Sequence, residues 1–300
     1  MEPHPHRARL KGPRTSLSSE YVRHVPSLER GRCGGYPGGR LPGRSFHGRN
    51  AASANRQRRR SGSPKLEGVS GVPIDHTRIE PGILYFGTPV VLISTLNEDG
   101  TPNLAPMSSA FWLGWRAMLG LGAASQTSHN LLRTGECVLN LPSEALAGTV
   151  DRLALTTGAD PVPASKQARG YRYEPDKFHL AEVTPIAADT VSPPRVAECQ
   201  VHLEAVVTGV HRMAADDPAQ HGRVLVFEVR VQRVYVDEDI RMKGTDDHID
   251  PDAWRPLIMS FQKFYGLGPQ VHPSTLASIP ERLYRGPDID RARAIAGGRG

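Results

Sequence analysis

The chain has 300 residues, enough for one large domain or two small ones with an ample core. Its charge is divided unevenly. Residues 1–65 hold 15 of the 37 Lys and Arg but only 3 of the 31 Asp and Glu, leaving 22 basic against 28 acidic side chains, so the net +6 describes the N-terminal segment rather than the rest. Cys33, Cys137 and Cys199 are scattered, with no CxxC spacing, which argues against a disulfide framework or a zinc site and suits a reducing compartment. No apolar run approaches the ~18 residues of a membrane span, and the N-terminus lacks the apolar stretch of a signal peptide. The expected location is the cytoplasm, with no membrane partner.

Residues 1–68 are rich in Arg, Gly, Pro, Ser and His, as in Arg58-Arg59-Arg60. Such a segment has too little apolar surface to offset the entropy of ordering and reads as a disordered basic tail. An inert tail or extended start, a binder of nucleic acid or another anionic surface, and a targeting segment are all compatible with it. The order of elements begins with a β-branched run at residues 88–96, followed by the turn Asn97-Glu98-Asp99-Gly100 and a returning hairpin arm at 101–105. Strands are expected at 115–122 and 136–141, with a short helix over 128–133 stopped by Gly135. Ser143 can N-cap a helix to about residue 155. Residues 156–176 read as a loop with at most one short helix. Two long strands, 196–211 and 223–235, pair antiparallel around Asp216-Asp217-Pro218. Asp250-Pro251-Asp252 has the form of a helix start, predicting a helix through residue 264 that Gly266 and Gly268 end. A polar extension of weak order follows Pro269, which gives a domain over residues 74–268 and an extension over 269–300. Many short strands with few peripheral helices define a mainly β fold, a closed or nearly closed barrel.

The chemistry concentrates between Asn103 and Asn130. Pro106, Met107, Ser108, Ser109 and Ala110 combine small hydroxyl residues with approachable backbone N–H groups, and Phe111 and Trp112 follow at once. A flat ring with polar edges needs such a mixture. Ser125, Gln126, Thr127 and Asn130 lie where a strand ends and a helix begins, so hydroxyls and free N–H groups meet the positive end of a helix dipole, which favours a phosphate. One strand, roughly 12 Å or more, separates the two halves and fits a mononucleotide-sized ligand. Each half also has a plainer reading, as an N-cap and as a loop over a core aromatic. Asp246, Asp247, His248 and Asp250 read as a solvated loop ending in a cap rather than a metal site. Cys137 and Cys199 read as core thiols. No GxGxxG follows a strand and no GxxxxGK[ST] is present, so neither a Rossmann domain nor a P-loop supplies a nucleotide site.

Residues 87–142, with GTPVVLISTLNEDGTPNLAPMSSAFWLG, then SQTSHNL and RTGECVLNLP, together with Ser192-Pro193-Pro194-Arg195-Val196-Ala197-Glu198-Cys199 and the strand pair after it, resemble the flavin reductase-like family with the FMN-binding split barrel. The resemblance spans about residues 83–265. It implies an FMN cofactor whose isoalloxazine edge is lined by Pro106, Met107, Ser108, Ser109 and Ala110 with Trp112 nearby. Ser125, Gln126, Thr127 and Asn130 would hold the phosphate end. It also implies a homodimer, hydride supply from NADH or NADPH, and in some settings a partner monooxygenase. Many relatives carry Lys in the phosphate turn where this chain has Gln126, which implies either weaker phosphate binding or replacement of that cation by an Arg from elsewhere, such as Arg133 or one from the partner chain. No catalytic acid or base is assigned, because the cofactor performs the hard step. Lys166, Arg169, Arg172 and Lys177 offer a place for a reduced pyridine nucleotide to approach. The competing functions are a flavin-holding or electron-carrier module without turnover and, less favoured, a nucleic-acid-associated protein acting through the basic tail.

Overall fold

The computed structural model describes residues 75–297, so the expectation of a disordered tail over residues 1–68 lies outside the described residues. In chain order the elements begin with β1 (Phe86–Pro89), β2 (Val91–Leu96), β3 (Pro102–Met107), β4 (Ala110–Leu113) and β5 (Arg116–Gly122). Then come α1 (Gln126–Thr134), β6 (Glu136–Leu141), α2 (Ala147–Arg152), β7 (Thr156–Thr157), α3 (Ala164–Gln167), β8 (Arg172–Tyr173) and α4 (Lys177–Ala181). The last group is β9 (Pro185–Ile186), β10 (Arg195–Val196), β11 (Val201–Arg212), β12 (Val224–Val236), β13 (Ile258–Ser260), β14 (Lys263–Tyr265) and α5 (Pro287–Gly297).

Seven strands form one antiparallel sheet in the order β3-β2-β6-β11-β12-β5-β4. Its two end strands are consecutive in the chain and are joined by Ser108 and Ser109 alone. Met107 and Ala110 are three Cα steps apart, at most about 11 Å, so the sheet must roll until these ends of its edges come together. Yet β3 and β4 do not pair with each other. The result is a barrel closed by covalent chain and split along one line of hydrogen bonds, and the split falls at Ser108 and Ser109.

Period-two alternation sorts side chains between two cores. Val91 and Ile93 of β2 join Leu119, Leu139, Leu203, Ala205, Phe227 and Val229 inside the barrel. The alternate positions Val90 and Leu92, with Leu104, pack outward against Val150 and Leu153 of the α2 region and Phe178 and Ala181 of α4. Because both faces of β2 are covered, its sequence Val-Leu-Ile-Ser-Thr-Leu is apolar without a polar stripe. Each such side chain contributes about 1.5–3 kcal/mol on burial.

Several boundaries differ from the sequence expectation. The run at 88–96 is two strands in two sheets. β1 pairs with β13, Pro89 has no N–H to offer, and Val90 N–H crosses to Leu257 O at 2.8 Å. Strand β4 was not expected at all, because four residues after a Ser pair give too little alternation to count. Val196 belongs to β10, paired with β9, rather than to the long strand β11. Ser143 makes no side-chain cap, and a single 3-10 turn precedes α2. The largest correction is the helix expected over 250–264. Asp250 does accept from Asp252 and Ala253 N–H at 2.8 and 3.3 Å, but the turn stops there and residues 258–265 form the hairpin β13–β14. Pro256 explains it: proline lacks the N–H a helix needs and biases Arg255 away from helical angles. The C-terminal extension also carries more order than expected. Helix α5 docks near β12, where Arg116 Nε donates to Asp288 Oδ2 at 2.9 Å and Ala292 is buried.

Candidate functional site

The turn expected to take a phosphate is a helix start, with α1 beginning at Gln126 rather than at the expected residue 128. Ser125 is the N-cap of α1, its Oγ accepting from Ser128 N–H at 3.1 Å, and Gly135 closes the helix at a φ of 69°, a left-handed conformation that glycine adopts without strain. The Ser125 hydroxyl also donates to Ser128 Oγ, which donates onward to Gly122 O, both at 2.9 Å. Among the described residues, the N–H groups of Gln126 and Thr127 meet no acceptor. These are the orphan donors of a helix start, aligned with its dipole.

The side chains of the turn have other work. Asn130 is buried; its amide donates to Thr95 Oγ1 and Asn97 Oδ1, both at 3.0 Å, and accepts from Gln126 Nε2 at 3.0 Å. Thr127 is buried and accepts from Asn103 Nδ2 at 3.3 Å. Asn130 and Thr127 therefore brace the turn from behind, while its amides and the edge of Gln126 face outward. Thr95, Asn97 and Asn103 complete this network. They stood on the hairpin that the sequence predicts, but nothing in their spacing marked them as partners of a helix four elements on.

One residue from outside the sequence-predicted set comes to this turn. A Cβ on Gly158 would sit 2.6 Å from Asn103 Oδ1 and 3.2 Å from Gln126 Cγ, so only glycine lets the segment after β7 lie against the turn. Next to it, the buried Thr157 accepts from Lys166 Nζ at 3.0 Å. Lys177, the first residue of α4, is 4% exposed, and among the described residues its ammonium donates no hydrogen bond. Burial foremost, and then the neighbouring charge of Lys166, pull its pKa down to about 8, with Glu174 opposing. Among the described residues no carboxylate lies within ion-pair distance of this ammonium, although Glu174 attracts it. Arg133, by contrast, is in the last turn of α1, about 10 Å along the axis from Gln126, and its guanidinium donates to Leu96 O. It does not replace the missing lysine of the turn.

The ring segment lies along the split. Pro106, Met107 and Ser108 are half-buried, Ser109 is exposed, and Ala110 is buried as the first residue of β4. Ser109 O accepts from Gly120 N–H at 2.8 Å, and a Cβ at Gly120 would lie 3.2 Å from Ser109 Cβ, so β5 approaches closely here. Trp112 packs against the barrel core, and its buried Nε1 has no acceptor among the described residues. That is an orphaned donor beside the segment expected to hold a polar-edged ring. From Gly120 to Ser125 is five residues, at most roughly 17 Å, so Ser109 lies toward the α1 end of β5, while Trp112, opposite Ala117, lies toward its start. A cleft of about 670 Å³ adjoins the turn, lined among others by Asn97, Glu98, Gln126, Gly158, Tyr173 and Phe178.

The groups considered for metal and thiol chemistry are engaged elsewhere. His248 Nε2 pairs with Glu281 at 2.8 Å and Asp247 with Arg293 at 3.2 Å. Among the described residues no group of three or more His, Cys, Asp and Glu could hold a metal ion. Cys137 is fully buried, and burial pushes its thiol up to about 12; Cys199 is raised for the same reason. No helix of the described residues is long and apolar enough to cross a membrane.

A rolled antiparallel sheet split at a Ser pair, with an anion-favouring helix start at the end of the same strand, is the architecture of a flavin-binding split barrel. The family model described as flavin reductase like domain matches residues 83–268, and the chain belongs to that family. Flavin is accordingly its ligand class and oxidoreductase its class of activity. Among individual proteins, it is 37% identical over 193 residues to the uncharacterized protein YdfE of Bacillus subtilis (strain 168), covering 64% of this chain and 90% of the relative. Among solved structures it resembles flavoredoxin of Desulfovibrio vulgaris (Miyazaki F), with TM-score 0.53 and 20% identity over 68% of this chain and 100% of that one. Nitrilotriacetate monooxygenase component B from Bacillus cereus gives TM-score 0.51 and 20% identity over 63% of this chain and 88% of that one. At these identities the two structures establish the split-barrel fold.

Proposed function

We propose that the protein is an FMN-dependent reductase that takes hydride from NADH or NADPH. The observation that carries this reading is the presence of two incomplete sites, one along β4 and β5 and one at the start of α1. The unengaged amides of Gln126 and Thr127 and the unpaired ammonium of Lys177 want an anion. The lip Pro106 to Ala110, with the orphaned Trp112 Nε1, offers a rim for a planar ring. Lys177 then supplies the cation that Gln126 lacks. FMN, when bound, accepts and passes on the electrons. The chain's part is to seat the phosphate on α1, hold the ring edge with the backbone and hydroxyls of Ser108 and Ser109, and keep water from the face covered by Trp112. FMN is favoured over a dinucleotide flavin because one helix start and one buried lysine match one phosphate.

The same reading makes the chain a homodimer. Phe111 and Leu113 on the edge strand β4 are 54% and 74% exposed, and the Phe86–Phe261 ring pair is exposed as well. Apolar side chains on an edge strand call for cover. A partner monooxygenase as the consumer of reduced flavin is supported by the likeness to a protein named as a monooxygenase component, and a cytoplasmic location by the sparse, buried cysteines. The test is anaerobic titration of the purified protein with FMN, followed by NADH and then NADPH, while the visible flavin band is recorded. Saturable binding and rapid bleaching by either nucleotide is the expected result. Binding without bleaching would instead assign an electron carrier fed by another reductant, and no binding would remove the flavin site.

A further inference from the structure

We propose that Lys166, Arg169 and Tyr171, on the loop between β7 and β8, form a recognition site for the 2′-phosphate of NADPH, so that NADPH rather than NADH is the preferred reductant. The proposal rests on the reductase reading above and adds to it the donor and the residues that select it. Lys166 spends one of its three N–H donors on Thr157 Oγ1 at 3.0 Å, and Arg169 spends its Nε on Ser165 O at 2.9 Å. The terminal guanidinium donors of Arg169 and two ammonium donors of Lys166 remain. Both cations lie over the ring of Tyr171, at 5.4 and 5.5 Å from its centroid.

Among the described residues neither cation forms an ion pair, whereas Arg172 on the same loop is paired with Glu174 at 2.8 Å. Like charges brought together with no carboxylate between them repel. Burial, and after it the charge of Arg169, lowers the pKa of Lys166 accordingly. The arrangement persists beyond residue 65, where acidic residues outnumber basic ones, so carboxylates are available in the sequence and are not used here. A phosphate monoester is the counter-ion that suits it. The planar guanidinium matches two phosphate oxygens, and the Tyr171 ring, with both cations over it, holds the two together. Neither cation lines the cleft that adjoins the start of α1, so the pair offers an anion a place apart from that cleft. The phosphate of FMN has its own cation in Lys177. NADPH differs from NADH by one phosphate on the adenosine ribose, which is the group these two cations would read.

Calorimetric titration of the full chain with 2′,5′-ADP and with 5′-AMP tests this without turnover. The expected result is binding of 2′,5′-ADP at least about tenfold tighter than 5′-AMP, a preference that Lys166→Gln and Arg169→Gln each reduce by about tenfold. Arg169→Lys should retain part of it, and Arg169→Gln should leave FMN affinity and the thermal midpoint unchanged. Steady-state KM for NADPH should rise in Arg169→Gln while KM for NADH stays constant. Equal affinity for the two adenosine nucleotides, or a preference that survives both substitutions in folded protein, overturns the proposal. Should Lys166→Gln unfold the chain, Arg169→Gln, at an exposed position of the loop, decides it alone. Failure of FMN itself to bind would strike the flavin site instead, so the two readings fail separately.

Discussion

Lys177 makes a pH-dependent prediction with a definite sign. Its folded pKa, about 8, lies below the ordinary lysine value of 10.5, so the unfolded chain binds more protons between those limits. The apo protein should therefore gain stability from this group as pH rises from about 8 to 10.5, and carry the full cost of the buried ammonium below 8. FMN affinity should move the opposite way, falling above pH 8 as the ammonium loses its proton, while riboflavin, which has no phosphate, should be indifferent. Lys177→Met should leave the apo thermal midpoint equal or higher and weaken FMN by more than about tenfold. A variant that loses stability and keeps its FMN affinity would remove lysine from the site. The complementary change is Gln126→Lys, which restores a cation to the turn. It should tighten FMN but not riboflavin, measured by quenching of flavin fluorescence, at the loss of the Gln126 hydrogen bonds to Asn130 and Asn97, each about 0.5–1.5 kcal/mol. The family resemblance marked Gln126 as the turn's odd residue, while the sequence expected the helix only from residue 128 and did not single out Ser125 as its cap. It could not show that Asn130 and Thr127 face inward, because burial of a polar side chain depends on which distant strand supplies its partner.

At the scale of elements, the legible features were those with long regular patterns. The pair β11–β12, twelve and thirteen residues, alternates clearly enough to be recognised and paired without a structure. Strand β4 and the hairpin β13–β14 were not, and each failure has a local cause: β4 has four residues, and Pro256 spoils a helix start whose cap residues are all present. Locally formed caps are thus weaker evidence than the residues downstream that must continue the helix. The close packing of the β7 segment on the turn was equally hidden, since Gly158 reads as an ordinary loop glycine. Gly158→Ala forces a methyl within 2.6 Å of Asn103 Oδ1, and the turn must shift to admit it. It should cost about 1–3 kcal/mol by thermal unfolding and weaken FMN in the same variant. Phe227→Ala, in the barrel interior, should cost about 3–5 kcal/mol in the unfolding measurement, since a fully buried ring leaves a cavity.

For the whole molecule, the edge strand β4 decides assembly. Replacing both Phe111 and Leu113 by Glu should convert the proposed dimer to monomer in sedimentation or light scattering, because two carboxylates cannot be buried against a second copy. An unchanged mass would move the interface elsewhere. Overall mainly β character was readable because short alternating runs recur along the chain, whereas the rolling of the sheet was not: it follows from which strands end up at the two edges. That rolling has a mechanical consequence. A barrel sealed by hydrogen bonds all round is a rigid hoop, but this one is a spring clip, held at the Ser108–Ser109 corner by covalent bonds and free to flex along the opposing lips. A flavin bridging the corner and the start of α1 would act as the clasp, and stiffness would then be a property of the loaded clip. At a hundredfold excess over the dissociation constant, such a clasp adds about 2.7 kcal/mol to stability. Amide exchange should slow on FMN binding chiefly in β3, β4 and the first turn of α1, while β11 and β12, locked on both sides, keep the same rate.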